Sequence, residues 1–261
     1  MKKTNSKNAP ASTSWEPASK WYKTIVGDEG HYYHQHVILP GVLRLLNLQA
    51  QPSPNLLDIA CGSGVLAKQL TNHTEYTGID LSPTLIKEAK KLDLNPKHKY
   101  LVADVMKALP LGQQQFSHAA IVLALQNMQH PLQVFQNIHK FLLKEGKLII
   151  VLNHPCFRIP RQSSWQIDEN KKLQYRRIDR YLSEIEIPIQ THPSKGDQSS
   201  QLVSYHYPLS SYFRWLKEAG FAVVDMEEWC SDKMSTGAHA KMENRSRSEF
   251  PLFLTICAQK L

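Results

Sequence analysis

The residues best suited to chemistry begin in a glycine-containing turn within the stretch LLDIACGSGVLAKQL, residues 56–70. Gly62, Gly64 and Ala67 fit the pattern G-x-G-x-x-G/A, in which small residues let a ligand approach the backbone closely. The turn follows an apolar segment typical of a buried strand and precedes a predicted helix. Asp80 ends the next predicted strand, as the acidic residue of the dinucleotide fingerprint does. This spacing predicts a site for a nucleotide or a related nucleoside.

Asp58, at the end of the first predicted strand, distinguishes between two kinds of ligand. A carboxylate beside the turn repels a pyrophosphate, whereas it attracts the cationic end of S-adenosylmethionine. At an effective dielectric constant near 20, a contact between unit charges at about 4 Å is worth about 4 kcal/mol before desolvation. An NAD-dependent oxidoreductase therefore ranks below a protein that binds S-adenosylmethionine, although the glycine pattern alone fits both.

Four segments resemble, in their order and spacing, those of the class I, Rossmann-like, S-adenosylmethionine-dependent methyltransferases. They are LLDIACGSG (56–64), GIDLS (78–82), VADV (102–105) and IVLALQNMQHP (121–131). Ala60 stands where many members carry glycine. The resemblance implies S-adenosylmethionine as the cofactor, S-adenosylhomocysteine as the product, and in-line displacement at the methyl group.

The resemblance also implies roles for individual residues. Asp80 would accept hydrogen bonds from both ribose hydroxyls, and Leu81 would pack on the adenine. Asp104 would accept from the adenine amine, the Val105 N–H would face a ring nitrogen, and Leu123 would lie beside the methionine portion. The predicted cofactor-binding residues are Asp58, Ala60, Cys61, Gly62, Asp80, Leu81, Asp104, Val105 and Leu123, with Ala124 and Gln126 next to Leu123.

The acceptor side has no required signature residue, because methyl transfer releases a neutral thioether and needs no acid. His154, directly after the predicted fifth strand, is the first candidate for a general base, since a histidine pKa lies near neutrality. Tyr207 is the second candidate. The predicted substrate-binding residues are His31, Tyr32, His34, Arg158 and Arg161, of which the arginines suit a carboxylate or phosphate. Ordinary packing or a turn role is the alternative for each, and no carboxylate stands at ligand spacing for a metal.

Alternating apolar strands and helices predict an α/β fold with a doubly wound, mostly parallel sheet. The resemblance implies seven strands in the order 3-2-1-4-5-7-6, with the last one antiparallel. The predicted divisions are a disordered lead (1–15), an N-terminal helical cap (16–50), a cofactor-binding core (51–153), a substrate-side insert (154–206) and the C-terminal part of the core sheet (207–261). Local patterns further predict a helix over 64–72, a strand pair near 172–190 and a polar loop over 230–249.

Composition limits the class of protein and of partner. The chain has 261 residues and a formal charge of +8, which favours an anionic small molecule or, as the runner-up, RNA. Its four cysteines form no CxxC pair, so reduced thiols in the cytoplasm are expected. No run is apolar enough for a bilayer span. A non-catalytic ligand sensor on the same fold stays open.

Overall fold

A seven-stranded mixed sheet forms the centre of the molecule. The computed structural model describes residues 15–27, 29–190 and 201–261. Its strands are β1 (Asn55–Ile59), β2 (Glu75–Asp80), β3 (His98–Val102), β4 (Phe116–Val122), β5 (Leu142–Asn153), β6 (Ser163–Asp168), β7 (Leu173–Ile178), β8 (Ile185–Gln190), β9 (Gln201–His206), β10 (Phe221–Trp229) and β11 (Phe253–Lys260).

The order of the strands in the central sheet is β3-β2-β1-β4-β5-β11-β10. Neighbouring strands run parallel from β3 across to β5, whereas β11 is antiparallel to both β5 and β10. The predicted order and the antiparallel last strand are confirmed. In such a sheet the ligand site lies at the carboxyl ends of the parallel strands, on either side of β1.

Helices cover both faces of the sheet, so its central strands are apolar on both sides. Leu56 and Leu57 are fully buried on opposite faces of β1 and belong to two separate apolar clusters. The helices are α1 (Ser19–Val26), α2 (Leu39–Leu46), α3 (Pro83–Leu92), α4 (Pro131–Phe141), α5 (Leu209–Glu218) and α6 (Ala240–Glu249). A π-helical turn, His34–Ile38, leads directly into α2.

The segment after the glycine turn differs from its prediction. Instead of a helix over 64–72, the chain forms consecutive turns and one short 3₁₀ helix, Ala67–Gln69. Gly62 and Gly64 have φ values of +56° and +78°, which a right-handed helix does not accommodate. The backbone therefore stays open where a ligand would approach.

The region after β5 also pairs differently from the prediction. Two strands do lie within 172–190, but β7 pairs with β6 and β8 pairs with β9. Two antiparallel hairpins thus replace the single predicted pair, because each strand finds its partner outside that range. The loop between β8 and β9, where the sequence predicts mobility, lies outside the described residues.

Helix α6 replaces most of the polar loop predicted over 230–249. Its sequence, AKMENRSRSE, has almost no apolar period, and Met242 is its one buried apolar side chain. Polar contacts fix it instead: Asn244 accepts from the Ser235 N–H at 2.7 Å, and the Ser246 hydroxyl donates to the Gln174 carbonyl at 2.8 Å. Hydrophobic periodicity gives no signal for such a helix.

The disordered lead predicted over 1–15 falls on residues outside the described ranges, apart from Trp15. That ring stacks on Trp21 at 6.0 Å between centroids, so Trp15 belongs to the folded part. Within the described ranges, every helix is too short or too polar to cross a lipid bilayer.

Candidate functional site

A cavity of about 560 Å³ opens at the carboxyl ends of the parallel strands. Ala60, Asp80 and Val122 line it from the ends of β1, β2 and β4, and Asn153 lines it from the end of β5. The volume suits a nucleoside-sized ligand together with a small second molecule. After the ligands that the sequence predicts, we call the part around the ends of β1, β2 and β3 the cofactor half and the part beyond β4 the substrate half.

Asp80 is the fixed acid of the cofactor half. Its Oδ2 accepts a hydrogen bond from the Gly62 N–H at 2.9 Å, and its Oδ1 accepts from the Ser82 N–H at 2.8 Å. Burial raises the pKa of this carboxyl, against the lowering effect of those two N–H groups. Because each oxygen keeps lone-pair capacity, the carboxylate can accept two more donors from the cavity.

Asp104 is the second acid of this half. Its Oδ1 accepts from the Met106 N–H at 3.0 Å, and its Oδ2 lies 3.7 Å from the Lys107 ammonium. Asn137 of α4 donates to the carbonyls of Val105 and Lys107 at 2.8 and 2.9 Å and so fixes the loop that carries Asp104. Sequence reasoning missed Asn137, since only its burial on α4 distinguishes it from other polar helix residues.

The glycine turn lies close to Tyr22, which lines the opposite wall of the cavity. A Cβ on Gly62 would lie 2.7 Å from the Tyr22 hydroxyl, so the turn admits no side chain there. Ala60 has a φ of +56° and Leu123 a φ of +53°, and both line the cavity. Left-handed non-glycine residues are rare and concentrate where a site needs them.

Asp58 and Cys61 lie behind the turn and do not line the cavity. The Asp58 carboxylate is 3% exposed and accepts from the Tyr76 hydroxyl at 2.7 Å. Burial raises its pKa to about 7, so the group is only partly charged at neutral pH. The sequence predicts that Asp58 attracts a cationic ligand directly or through water, and its place behind the turn leaves only the indirect form of that prediction.

The N-terminal segment covers the cofactor half. Trp15, Trp21 and Tyr22 form an aromatic wall, with the Trp15 and Tyr22 rings edge-to-face at 5.7 Å. The Glu16 carboxylate accepts from the Ser82 hydroxyl and from the Thr84 N–H, at the start of α3. These contacts hold the wall in place, and the polar composition before Trp15 gave no signal for them.

His31 and His34 lie at the cavity, and their role in binding the substrate stays a prediction. Their ring centroids are 4.1 Å apart, and both residues line the cavity. Burial and the neighbouring His31 lower the pKa of His34 to about 4, and burial lowers that of His31, so both rings are neutral at pH 7. Tyr32 points away from the cavity, since its hydroxyl donates to Asp232 at 2.9 Å; the adjacent Tyr33 lines it instead.

Three buried polar atoms around the cavity lack a hydrogen-bond partner among the described residues: His34 Nδ1, Gln126 Oε1 and Arg158 Nε. All three residues line the cavity, whereas Thr255, which carries the fourth such atom, does not. Buried polar groups are nearly always paired, so these three atoms distinguish the surroundings of the cavity from the rest of the described residues.

His154 lies outside the cavity, contrary to prediction. It is 1% exposed, its Nε2 lies 2.6 Å from Glu228 Oε1, and its Nδ1 accepts from the Cys156 N–H at 3.2 Å. Both ring nitrogens are thus engaged within the protein. Successive residues of an extended chain point to opposite faces, and Asn153 takes the cavity side.

Tyr207 and Arg161 also lie outside the cavity. The buried Tyr207 hydroxyl donates to the Gln129 carbonyl at 2.7 Å, which makes it a packing residue. Arg161 is exposed in a turn with a φ of +59°. On the β8–β9 hairpin, Ser204 and Ile189 line the cavity instead.

No group of three or more His, Cys, Asp or Glu side chains suited to a metal ion occurs among the residues that the structure describes.

Comparison with known proteins gives one consistent family. Residues 57–150 match the family model described as a methyltransferase domain. The 2-phytyl-1,4-naphtoquinone methyltransferase of Nostoc sp. is 29% identical over 131 residues, which are 46% of this chain and 56% of that protein. The demethylmenaquinone methyltransferase of Lysinibacillus sphaericus is 26% identical over 119 residues, which are 44% and 50% of the two chains. The chain spans about half the length of the curated relatives it matches.

Solved structures extend the similarity beyond the matched domain. An S-adenosylmethionine-dependent methyltransferase from Mesorhizobium loti superposes with a TM-score of 0.64 at 26% identity. The superposition covers 85% of this chain and 100% of that one. The likeness therefore includes the C-terminal strands and not only the motifs around the glycine turn.

Proposed function

We propose that this chain, which belongs to the class I, Rossmann-like, S-adenosylmethionine-dependent methyltransferases, transfers a methyl group to an oxygen, nitrogen or carbon atom of a small molecule. One observation carries the proposal: the cavity at the carboxyl ends of the parallel strands is lined by two fixed acids and by three residues that carry unpaired buried polar atoms. Its family membership removes the oxidoreductase alternative.

In the cofactor half, the two oxygens of Asp80 accept the ribose hydroxyls. Each already accepts one backbone N–H, which fixes the carboxylate before the ligand arrives. Asp104 accepts the adenine amine beside Val105, and Leu81, 37% exposed, packs on the adenine ring. The aromatic wall of Trp15 and Trp21 covers the same side.

In the centre of the cavity, the methionine portion lies along Ala60, Gly62 and Leu123. All three have left-handed backbones, and Ala60 and Gly62 have no large side chain that would block the ligand. Asp58 and Cys61 act on this part from behind the turn, by shaping it rather than by contact. Gln126 offers its unpaired Oε1 at the junction of the two halves.

S-adenosylmethionine supplies an electrophilic methyl group on a positively charged sulfur. The chain's own residues orient the acceptor and exclude water, since Tyr33, Leu252 and Phe253 enclose the substrate half. His31 and His34, neutral at pH 7, are the proton acceptors within this half for a nucleophile that must lose a proton. His154 and Tyr207 are not proposed for this role, because neither reaches the cavity.

A small molecule suits the cavity better than a polymer does. The substrate half is enclosed by the N-terminal helices and the β8–β9 hairpin, and the relatives from Nostoc and Lysinibacillus carry quinones in their names. RNA is the alternative outcome, favoured by the net charge of +8. The cytoplasmic location inferred from the cysteines stays a prediction.

Calorimetry with S-adenosylhomocysteine and with NAD tests the cofactor, and only the first should bind. A methylation screen over a metabolite library, with labelled S-adenosylmethionine, tests the acceptor class. Small-molecule products support the proposal. RNA binding whose affinity falls steeply with salt, together with labelled RNA and no labelled metabolite, would replace it.

A further inference from the structure

Arg158 presents a cation to the substrate half with no anion to balance it. It lies on the turn after β5, where its backbone N–H donates to the His154 carbonyl at 2.7 Å, and the residue lines the cavity. Its buried Nε has no partner, and the described residues place no carboxylate within ion-pair distance of its guanidinium. Glu228, which contacts the same turn, pairs with His154 instead.

A second arginine increases the positive charge at this point. The Arg158 and Arg176 guanidinium carbons lie 5.6 and 5.1 Å from the centre of the Trp165 ring. Arg176 donates only to neutral acceptors, the Phe157 carbonyl at 2.8 Å and the Ser163 hydroxyl at 2.9 Å. Burial and the charge of Arg176 lower the pKa of Arg158 to about 10, so it remains protonated at pH 7.

Two neighbouring half-buried cations without a carboxylate are unfavourable in a protein on its own. Arg158 is held in this position by its contact with Trp165, while Arg176 is tied to the first hairpin by its hydrogen bonds. Arg158 lines the cavity, whereas Arg176 does not. Such a preorganised fork matches the two oxygens of an oxyanion.

The rest of the substrate half is apolar and aromatic. Tyr33 and Phe253 meet edge-to-face at 5.9 Å, and Leu252 lies beside them in the wall. The neutral His34 adds one unpaired nitrogen. The two acids of the cavity, Asp80 and Asp104, lie in the cofactor half, so the two halves carry opposite charge.

We infer that the methyl acceptor is an organic oxyanion with a ring-shaped apolar body, whose carboxylate or phosphate oxygens pair with Arg158 while the ring packs on Tyr33 and Phe253. Arg176, on the same Trp165 ring, adds to the positive charge that such an anion meets. This inference rests on the proposed function, because it assigns the acceptor of the same site.

Binding of simple probes tests the inference while the acceptor itself is unidentified. Benzoate and phenyl phosphate are compared with the neutral benzamide by calorimetry, in the presence of saturating S-adenosylhomocysteine. The wild-type protein should bind at least one of the two anions about 30-fold or more tightly than benzamide, since the half-buried Arg158 guanidinium then gains an anionic partner. Preference for benzoate or for phenyl phosphate identifies the source of the oxyanion.

Three variants assign the effect to Arg158. Arg158→Gln should remove the preference for the anion, and Arg158→Lys should keep part of it, because the charge remains but the fork is lost. Arg161→Gln is the matched control, since Arg161 lies in the same connection between β5 and β6 but outside the cavity, and it should bind as the wild type does. Thermal melting and binding of S-adenosylhomocysteine report whether each variant is folded.

Equal affinity for benzoate, phenyl phosphate and benzamide in the wild-type protein would overturn the inference, as would an unchanged anion preference in Arg158→Gln. If S-adenosylhomocysteine binds while the anions do not, only this inference fails. If S-adenosylhomocysteine itself does not bind, the proposed function fails first.

Discussion

The two halves of the cavity are built in different ways. The cofactor half is assembled from the ends of adjacent parallel strands, so Asp80 and Asp104 are placed by the sheet itself. The substrate half combines parts that are far apart in the chain: the N-terminal helices, the turn after β5, the β8–β9 hairpin and the residues before and at the start of β11. The first half is therefore suited to a constant ligand, and the second to a ligand that differs between proteins on the same scaffold.

The largest expected effect is in the cofactor half. Asp80→Ala removes the acceptor for two hydroxyls and should weaken S-adenosylhomocysteine binding by about 100-fold or more, measured by calorimetry. Asp225→Ala, an exposed acid on the edge strand β10, is the control and should leave the affinity unchanged. An intact affinity in folded Asp80→Ala would show that the ribose is held elsewhere.

A smaller loss is expected from Gly62→Ala. The new methyl group would lie 2.7 Å from the Tyr22 hydroxyl, at a φ of +56°, so the turn must shift. We expect about tenfold weaker cofactor binding and a lower melting temperature. Gly112 has a similar φ of +60°, but a Cβ placed on it has no atom within 4 Å. Gly112→Ala should therefore lose only about 1 kcal/mol of stability, with normal cofactor binding.

The double variant Tyr22→Phe/Gly62→Ala tests whether the Tyr22 hydroxyl causes the loss of affinity. Removing the hydroxyl takes away the closest contact and should recover part of the lost affinity. If Gly112→Ala weakens cofactor binding as much as Gly62→Ala does, the close approach to the aromatic wall is not what matters.

Asp58→Asn should change cofactor affinity by less than about threefold, because Asp58 lies behind the turn. Its effect should be on stability. Burial raises the pKa of Asp58 to about 7 in the folded state from its ordinary value of 3.8, so the wild type loses stability as the pH rises from about 4 through 7. Asparagine does not titrate and should remove up to about 4 kcal/mol of this dependence.

Urea unfolding of wild type and Asp58→Asn between pH 4.5 and 8 measures the difference. The free energy of unfolding of Asp58→Asn minus that of the wild type should increase as the pH rises. A constant difference across this range would mean that Asp58 is ionised throughout, and the electrostatic attraction expected from the sequence would then regain its basis.

The smallest effect on function is expected at His154. His154→Asn breaks the contact with Glu228 and should lower the free energy of unfolding by about 1–3 kcal/mol, measured in urea. Cofactor affinity and turnover per folded molecule should stay within about twofold of the wild type. A drop in turnover beyond tenfold in folded protein would return His154 to the reaction.

The strands of the central sheet could be predicted because their signals are local, whereas their order was implied by the family resemblance, and the cofactor-binding roles stay predictions. Apolar strands ending in Asp80, and a turn containing Gly62, report their own backbone geometry and their place at one edge of the sheet. The helix expected over 64–72 failed for a local reason too, since the left-handed glycines that open the site also interrupt a helix.

The substrate half was predicted only in part because it depends on long-range packing and on side-chain direction. His154 was placed at the correct strand end, but its neighbour Asn153 faces the cavity. Arg158 lines the cavity and Arg161 does not, although both lie in the short connection between β5 and β6. Nothing in the spacing of Trp165 and Arg176 indicates that they meet Arg158, which requires the β6–β7 hairpin to fold beside it.

A crystal structure with S-adenosylhomocysteine would show whether Asp80 holds the ribose. Both ribose hydroxyls should lie within hydrogen-bonding distance of the Asp80 carboxylate, with the thioether sulfur facing the half lined by Arg158. A nucleoside bound outside this cavity, or bound in it without contact to Asp80, would show that the cofactor site is assigned wrongly.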